Sequence, residues 1–372
     1  MKIKIAVLLM ILPALVFSQS VNPEKKKILI VVSSYGKDEG RQRPGFEFEE
    51  FSQAYLIFKA NGLDVDVASP KGGYAEPDRF NKSKPYNNQV LENTDAMALL
   101  RNTKATAQLK AEHYAAVYIV GGKGAMFDLP FDPSLQDIIL AIYQQQKAVV
   151  AAVCHGPAVL ANVKLNDSTF LISGKKITGF SNEEEERFGK KWKPEFPFLL
   201  EDKLKTRGVK YEKDHAMLPH VCVDGKLITG QNLFSTTLLA EEIVKALGKE
   251  PIKRELYQDE RSIRLVKRAL TGDTVWVRQE ISSNSTMYDA QLIAAYGHYK
   301  LMNAKGNPIE ISSGLYLAEL VSEWVFNKNL QYEMAKGYLQ LNNKEKAKLL
   351  LEQSMKKAPS FTDAKKLFEE IK

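Results

Sequence analysis

Residues 149–158 read Val-Val-Ala-Ala-Val-Cys-His-Gly-Pro-Ala and are the most informative part of this chain. The apolar run 149–153 predicts a strand buried on both faces, as in a parallel sheet. It leads straight into Cys154, and the small residues that follow predict a sharp turn and then a helix from about Ala158. This order is typical of a nucleophile elbow, in which Gly156 lets the backbone pack closely behind the side chain. The alternative, a buried structural cysteine, does not explain Cys-His-Gly-Pro at the end of a strand.

The chain has two cysteines, too few for a disulfide scaffold or a four-thiolate zinc site. Cys154 would stand at a helix N-terminus, which lowers the pKa of a thiol from its usual value of about 8.5, so we expect a thiolate there. Cys222 alternates with Val221 and Val223 and is expected in the core of a strand. A disulfide between the two cysteines would silence the site, and we expect it to be absent.

Short apolar runs alternate with amphipathic stretches from Lys27 to about Gly248. Strands are predicted at 28–32, 65–68, 115–120 and 148–153, and two later strands end at 177–179 and 227–230. Helices are predicted at 46–61, 133–146 and 236–247. The alternation predicts an α/β fold, a doubly wound, flavodoxin-like and mostly parallel sheet sandwiched by helices, over residues 19–250.

Residues 251–372 are helical in pattern, apart from a short strand expected at 274–277. With Pro359 at the last hallmark position of a 34-residue unit, the residues at several other hallmark positions of a tetratricopeptide repeat also fit. They are Ala335, Tyr338, Ala347, Leu351 and Ser354. The tail therefore either carries one degenerate repeat at about 328–361 or forms an ordinary helical cap. In both cases we expect a C-terminal α-helical domain that packs or docks.

The first 18 residues resemble a secretory signal peptide. A basic start at 1–4 precedes an apolar run at 5–17, and cleavage is expected after Ser18. The run is too short to span a membrane, and we expect no membrane span elsewhere. We therefore expect a protein exported by a cleavable signal peptide, either periplasmic or secreted.

The formal charge is +7, from 52 basic and 45 acidic side chains, which is mild for 372 residues and does not favour nucleic-acid binding. The hydrophobic fraction of 44% excludes a disordered chain. We expect no metal site, because only His215 and His220, five residues apart and interrupted by Pro219, approach ligand spacing. The histidines outside the elbow are interpreted as structural or surface residues. These histidines are His113, His215, His220 and His298.

Five segments in a fixed order resemble the ThiJ/PfpI superfamily, within the class I glutamine amidotransferase-like fold. They resemble its branch of glyoxalase III enzymes and heat-shock chaperones most. The resemblance covers roughly residues 27–248 and does not extend to the tail. The segments are 121–130 with Gly121-Gly122, 151–158 with the cysteine, 177–182 followed by four glutamates, 197–202 and 227–232.

The resemblance implies which residues work. Cys154 matches the nucleophile, His155 matches the histidine of the triad, and Glu185 aligns best with the acid, although the run 183–186 leaves the register uncertain. A further glutamate on the first helix contacts the cysteine in this family, and Glu50, five residues after Gly45, fits that place. Such a glutamate helps only if it stays protonated, which requires a raised pKa. We expect Glu47 and Glu49 on the same helix to be surface charges. We expect the same of the three glutamates at 183–186 that do not complete the triad.

Gly121 and Gly122 end a strand at the same sheet edge and would offer N–H groups to an oxyanion, together with the N–H of His155. The chain departs from the family's usual pattern at two positions. Lys123 stands where the family usually has histidine, which adds a cation near the substrate, and Leu233 replaces a usual proline.

The resemblance implies a cofactor-free, glutathione-independent enzyme that converts methylglyoxal or a related α-oxoaldehyde to a 2-hydroxy acid, or removes early glycation adducts from proteins. The intermediate would be a hemithioacetal on Cys154. The alternative is a holdase-type stress chaperone or cysteine redox sensor whose helical tail recruits a protein partner. A homodimer is also allowed. Glutamine amidotransfer fits poorly, because residues 230–239 lack the required His-x-Glu pair.

Overall fold

Residues 27–189 and 191–372 are described by a computed structural model of the protein. The predicted signal peptide at 1–18 lies outside these described residues. Within them, no helix combines the length and the apolar character that crossing a membrane requires.

The described residues form one seven-stranded sheet, in the order β3-β2-β1-β4-β5-β9-β8, and a separate two-stranded sheet of β6 and β7. All neighbouring strands are parallel except β8, which runs antiparallel to β9 at the edge. The strands are β1 (Lys27–Val31), β2 (Val65–Ser69), β3 (Lys104–Ala105), β4 (Tyr114–Ile119), β5 (Val149–Val153), β6 (Lys176–Ile177), β7 (Lys210–Tyr211), β8 (Val221–Asp224) and β9 (Leu227–Gly230).

The central strands are apolar because helices cover both faces of the sheet. Every residue of β5 is buried, as are four of the five in β1. The helices of this part are α1 (Phe48–Ala60), α2 (Pro85–Glu92), α3 (Thr94–Arg101), α4 (Pro133–Gln144), α5 (Asn182–Glu184), α6 (Leu200–Thr206) and α7 (Thr236–Ala246). The connection from β1 to β2 steps along the sheet in one direction and that from β4 to β5 in the other. Right-handed crossovers therefore place α1 and α4 on opposite faces.

This arrangement confirms the predicted doubly wound, flavodoxin-like fold. The strand order β2-β1-β4-β5-β9 is that of the flavodoxin type, whose ligands bind beyond the carboxyl ends of the strands where the order reverses. Here that point lies between β1 and β4, and β5 with Cys154 at its end is the next strand. The strand predicted to end near Gly179 exists as β6 but belongs to the small sheet.

The C-terminal region is helical, as predicted. Its helices are α8 (Gln258–Leu270), α9 (Thr274–Ser283), α10 (Ala290–Asn303), α11 (Pro308–Leu320), α12 (Lys328–Gln340), α13 (Lys344–Lys357) and α14 (Thr362–Glu370). The prediction of a strand at 274–277 is wrong, because α9 begins at Thr274. Val277 and Ile281 are buried four residues apart on one helical face, and this packing outweighs the β-propensity of Val-Trp-Val.

Helices α12 and α13 form a helical hairpin over the segment interpreted as a tetratricopeptide unit. Ala335, Ala347, Leu351 and Ser354 are buried there. A hairpin with a buried seam is common to many helical folds, so the repeat remains a prediction. Helices α10 and α11 form a second pair before it.

The two parts have separate apolar cores, and residues of the first part also pack in the core of the second. Met217 and Leu218, between β7 and β8, belong to the core of the helical region. Polar contacts also cross the junction: the Tyr86 hydroxyl donates to Asp259 at 2.7 Å, and Lys267 pairs with Asp214 at 2.7 Å. A domain boundary near residue 250 stays a prediction.

Candidate active site

Cys154 occupies a strained turn at the carboxyl end of β5. Its φ is +58°, a conformation that residues with a side chain rarely adopt and that aims Sγ away from the strand direction. The backbone is held on both sides: its N–H donates to the Gly230 carbonyl at 2.9 Å, and its carbonyl accepts from the Phe180 N–H at 2.8 Å. The helix expected from about Ala158 is instead a 3₁₀ helix that begins at Gly156. The predicted elbow is therefore present, but it is followed by a 3₁₀ helix, which is wound more tightly than an α-helix.

The structure brings Cys154, His155 and Glu185 into one chain of contacts. The Sγ atom lies 3.5 Å from His155 Nδ1, and His155 Nε2 lies 2.7 Å from Glu185 Oε1. All three side chains are buried. A carboxylate on one ring nitrogen sets the tautomer of the imidazole, so the other nitrogen faces the thiol as an acceptor. This is the geometry of a base poised to take the thiol proton.

A short π-helical turn, Glu185–Gly189, follows α5 and separates the roles of the four glutamates. Only Glu186 behaves as the solvated charge expected of three of them, with a side chain 74% exposed and paired with Lys193. Glu183 accepts a hydrogen bond from Tyr299 of α10. Glu184 is buried, caps α5 through Ser181, and accepts from Asn232 at 2.8 Å. Tertiary contacts, which the sequence does not show, account for the difference.

Glu50 reaches the nucleophile from α1. Its Oε2 accepts the Gly121 N–H at 2.7 Å, and the carboxyl group also interacts with the Cys154 thiol. Burial raises the pKa of Glu50 well above its usual value, and nearby Glu47 raises it further. The second oxygen, Oε1, is buried without a hydrogen-bond partner among the described residues. The raised pKa favours the neutral carboxyl, which can donate a hydrogen bond as well as accept one.

The expected thiolate is not what the structure favours. Burial raises the pKa of Cys154 well above its usual value, and the Glu50 carboxylate adds to the effect when it is ionised. The Gly122 N–H acts in the opposite direction without offsetting these causes. This environment therefore favours the thiol over the thiolate at Cys154.

The two glycines that follow β4, Gly121 and Gly122, make different contacts. The Gly121 N–H already donates to Glu50, so it is not available to an oxyanion as predicted. The Gly122 N–H points toward Sγ of Cys154. Gly122 has φ +84°, and a Cβ there would lie 2.4 Å from the Glu47 backbone nitrogen, so only glycine fits.

The site opens into a cavity of about 270 Å³, small enough to suit a substrate of a few carbon atoms. Its walls include Cys154, His155, Glu50, Gly122, Lys123, Glu47, Asp78, Phe180, Glu184, Phe188, Met217, Asn232, Leu233 and Phe234. Burial raises the pKa of Glu47 and of Asp78, and the Lys123 charge offsets part of that rise. A larger cavity, about 810 Å³, lies beside Asp78 but contains no cysteine or histidine.

Sequence reasoning missed two acidic residues of this cavity. Glu47, expected at the surface, lines it, and burial raises its pKa to about 7. Asp78 accepts the Gly45 N–H at 2.7 Å, and burial raises its pKa too. Glu49 is also not a free surface charge, since its Oε2 lies 2.7 Å from the Tyr86 hydroxyl oxygen. Gly45 could have indicated this from the sequence. A glycine there lets the backbone around Asp78 approach the chain just before α1.

Glu47→Gln is expected to raise the free energy of unfolding at pH 8 by about 1–3 kcal/mol. The folded-state pKa of Glu47 is raised from 4.5 to about 7, so the folded protein holds this proton more tightly than the unfolded chain. Ionisation therefore costs stability as the pH rises from 4.5 to 7, and the cost is fully present above 7. Urea unfolding at pH 4.5, 6 and 8 measures it. The exposed Glu186→Gln is the control, and a gain that does not depend on pH would contradict the assignment.

Cys222 and His220, which were also considered from the sequence, do not line this cavity. Cys222 is buried in β8 as predicted, and both cysteines are free thiols. His220 directly precedes β8 and lies close to Cys222.

Comparison with known proteins identifies the family of this chain. Residues 42–246, more than half of the chain, match the model of the DJ-1/PfpI family. A glutathione-independent glyoxalase of Schizosaccharomyces pombe is 30% identical over 251 residues, which cover 61% of this chain and 100% of that protein. The crystal structure of glyoxalase III from Candida albicans is 25% identical, with a TM-score of 0.55, and covers 60% of this chain and 98% of its own. The X-ray structure of a rapid encystment protein from Francisella tularensis is 31% identical, with a TM-score of 0.56, and covers 60% of this chain and 99% of its own. This chain belongs to the DJ-1/PfpI family.

Proposed function

We propose that the protein is a glutathione-independent glyoxalase that converts methylglyoxal, or a related α-oxoaldehyde, to a 2-hydroxy acid without a cofactor. The observation that carries the proposal is the buried chain from Cys154 through His155 to Glu185, set in a small cavity beside Glu50. Relatives about 30% identical are named glutathione-independent glyoxalases, which supports the reaction class.

The first step is addition of the thiol to the aldehyde. His155 Nδ1 takes the Sγ proton while sulfur bonds to the aldehyde carbon, and then returns that proton to the carbonyl oxygen, which becomes the hemithioacetal hydroxyl. The negative charge that develops on this oxygen lies near the backbone N–H of Gly122, and we assign the backbone N–H of His155 as a second donor. Glu185 holds the imidazole and stabilises its charged form.

The later steps move hydrogen within the substrate. A base removes the proton from the former aldehyde carbon, which leaves an enediol, and a proton returns to the neighbouring carbon. The first carbon is thereby oxidised to a thioester and the second is reduced to an alcohol, so no outside oxidant is needed. Water then cleaves the thioester, releases lactate and restores the thiol. The overall change is methylglyoxal plus water to lactate.

Glu50→Gln is expected to keep kcat/KM within about 10-fold of the wild type, whereas Glu50→Leu loses about 100-fold or more. Glutamine copies a protonated carboxyl: its oxygen can accept from the Gly121 N–H while its amide donates toward Sγ. Leucine fills a similar space without a donor. If glutamine were as damaging as leucine, an ionised Glu50 would be required instead.

The proposal is tested by following purified protein with methylglyoxal by proton NMR in the absence of glutathione and added metal. We expect lactate to accumulate as the aldehyde is consumed. Consumption without lactate, or no turnover under reducing conditions, would reject the glyoxalase assignment. Export to the periplasm or the medium remains a separate proposal from residues 1–18, tested by fractionating cells and sequencing the N-terminus of the mature protein.

A further inference from the structure

A second group of chemically reactive side chains lies away from the active-site cavity, where the small sheet meets the edge of the large one. Glu212 directly follows β7, His220 directly precedes β8, and Cys222 lies within β8. Cys222 Sγ is 3.4 Å from His220 Nε2 and 3.7 Å from Glu212 Oε2, and the last two atoms are 3.9 Å apart. Three different ligand types thus converge on one point.

We propose that Glu212, His220 and Cys222 bind a Zn²⁺ ion, with water as the fourth ligand. One thiolate, one imidazole and one carboxylate are the donors that zinc accepts in proteins, and a mixed set suits zinc better than Mg²⁺ or Ca²⁺, which prefer oxygen alone. On binding, the thiol proton of Cys222 leaves to solvent and the sulfur forms the bond to zinc.

The distances fit this ion closely. Tetrahedral zinc with Zn–S near 2.3 Å and Zn–N or Zn–O near 2.05 Å places its ligand atoms about 3.3–3.6 Å apart. The three atoms here are 3.4, 3.7 and 3.9 Å apart, so the two separations that involve sulfur lie within about 0.2 Å of these values and the His220–Glu212 separation is about 0.5 Å longer. Shifts of a few tenths of an ångström therefore complete the site, and a partly exposed glutamate can make them without moving the backbone.

The surroundings suit a bound ion. Lys176 holds the other carboxylate oxygen of Glu212 at 3.2 Å, an outer contact that orients the ligand. The side chains of Glu212 and His220 are 39% and 27% exposed, so solvent can supply the fourth ligand. Cys222 is buried beneath them. The sequence carried a usable signal, because His220 and Cys222 stand two residues apart and two residues apart on a strand share a face.

The ion would fasten a loop that reaches the active site. Residues 212–222 close a loop that contains Met217, a wall of the active-site cavity, whose N–H donates to Glu184 at 3.1 Å. The backbone carbonyl of His220 also accepts the Gln231 N–H at 2.9 Å, next to the cavity residue Asn232. Zinc should therefore stiffen this loop and raise thermal stability by preferential binding to the folded state.

Cobalt titration of the Cys154→Ser protein tests the proposal, because that background removes the other thiol. We expect one equivalent of Co²⁺ to produce the near-ultraviolet charge-transfer band of a cobalt–thiolate bond, Zn²⁺ to displace it, and the unfolding temperature to rise by several degrees with zinc. His220→Ala and Cys222→Ser, each added to this background, should weaken Zn²⁺ binding by about 100-fold or more. His215→Ala, outside the cluster, is the matched control.

A folding check distinguishes loss of a zinc ligand from misfolding of the variant. His220 is partly exposed, so its alanine variant is expected to fold, and circular dichroism checks this for both variants. The absence of a thiolate band, binding only at millimolar metal, or an affinity that His220→Ala leaves unchanged would overturn the proposal.

Discussion

Replacing Cys154 by serine or by alanine should lower kcat/KM for methylglyoxal by about 10⁴-fold or more. A serine hydroxyl in the same place is a far weaker nucleophile toward an aldehyde, and the shorter C–O bond moves its oxygen away from His155 Nδ1, which already lies 3.5 Å from Sγ. The loss should fall on kcat, because binding in the cavity does not depend on the sulfur bond. Steady-state kinetics by loss of aldehyde and gain of lactate measure it.

Two checks make this result informative. The unfolding temperatures of both variants should stay close to that of the wild type, because either side chain fits the buried pocket. Serine and alanine should be equally inactive, which shows that no oxygen nucleophile takes over. Retention of more than a few per cent of activity in either variant would remove Cys154 from the mechanism.

Glu185→Gln should lower kcat by about 10²–10⁴-fold with little change in KM. A glutamine amide that donates to His155 Nε2 forces the ring proton onto Nδ1, the nitrogen that must accept the thiol proton. The base is then blocked even though the side chain keeps its shape. The pH dependence of kcat should also change, which a purely structural loss would not produce.

Glu186→Gln is the matched control, because it lies one residue further along, is largely exposed and pairs with Lys193. We expect its kinetics to equal those of the wild type. Equal losses in both variants would show that the glutamate run acts through general charge, and an unaffected Glu185→Gln would show that His155 needs no acid partner.

The nucleophile and its histidine could be predicted from sequence because they lie on one short segment. A buried strand that runs into Cys-His-Gly-Pro predicts both the edge of the sheet and the elbow. Glu50 and Glu185 required the family pattern as well, since they lie on other segments. Within the run 183–186, only the structure separates Glu185 from its neighbours.

The protonation states could not be predicted, because they depend on burial by the whole fold. A helix N-terminus predicts a thiolate at Cys154, but burial raises the pKa of this thiol well above its usual value. Glu47 becomes a cavity acid for the same reason. The error at 274–277 is of another kind: the β-propensity of Val-Trp-Val predicts a strand, whereas Val277 and Ile281 pack at helical spacing.

The central claim is that the reaction passes through a covalent bond to Cys154, and mass spectrometry of an acid-quenched reaction tests it most directly. The account predicts a peptide carrying Cys154 with the added mass of one methylglyoxal, formed within the first turnover, absent in Cys154→Ala and lost as lactate appears. Steady lactate formation by the wild type with Cys154 unmodified at every quench time would contradict it.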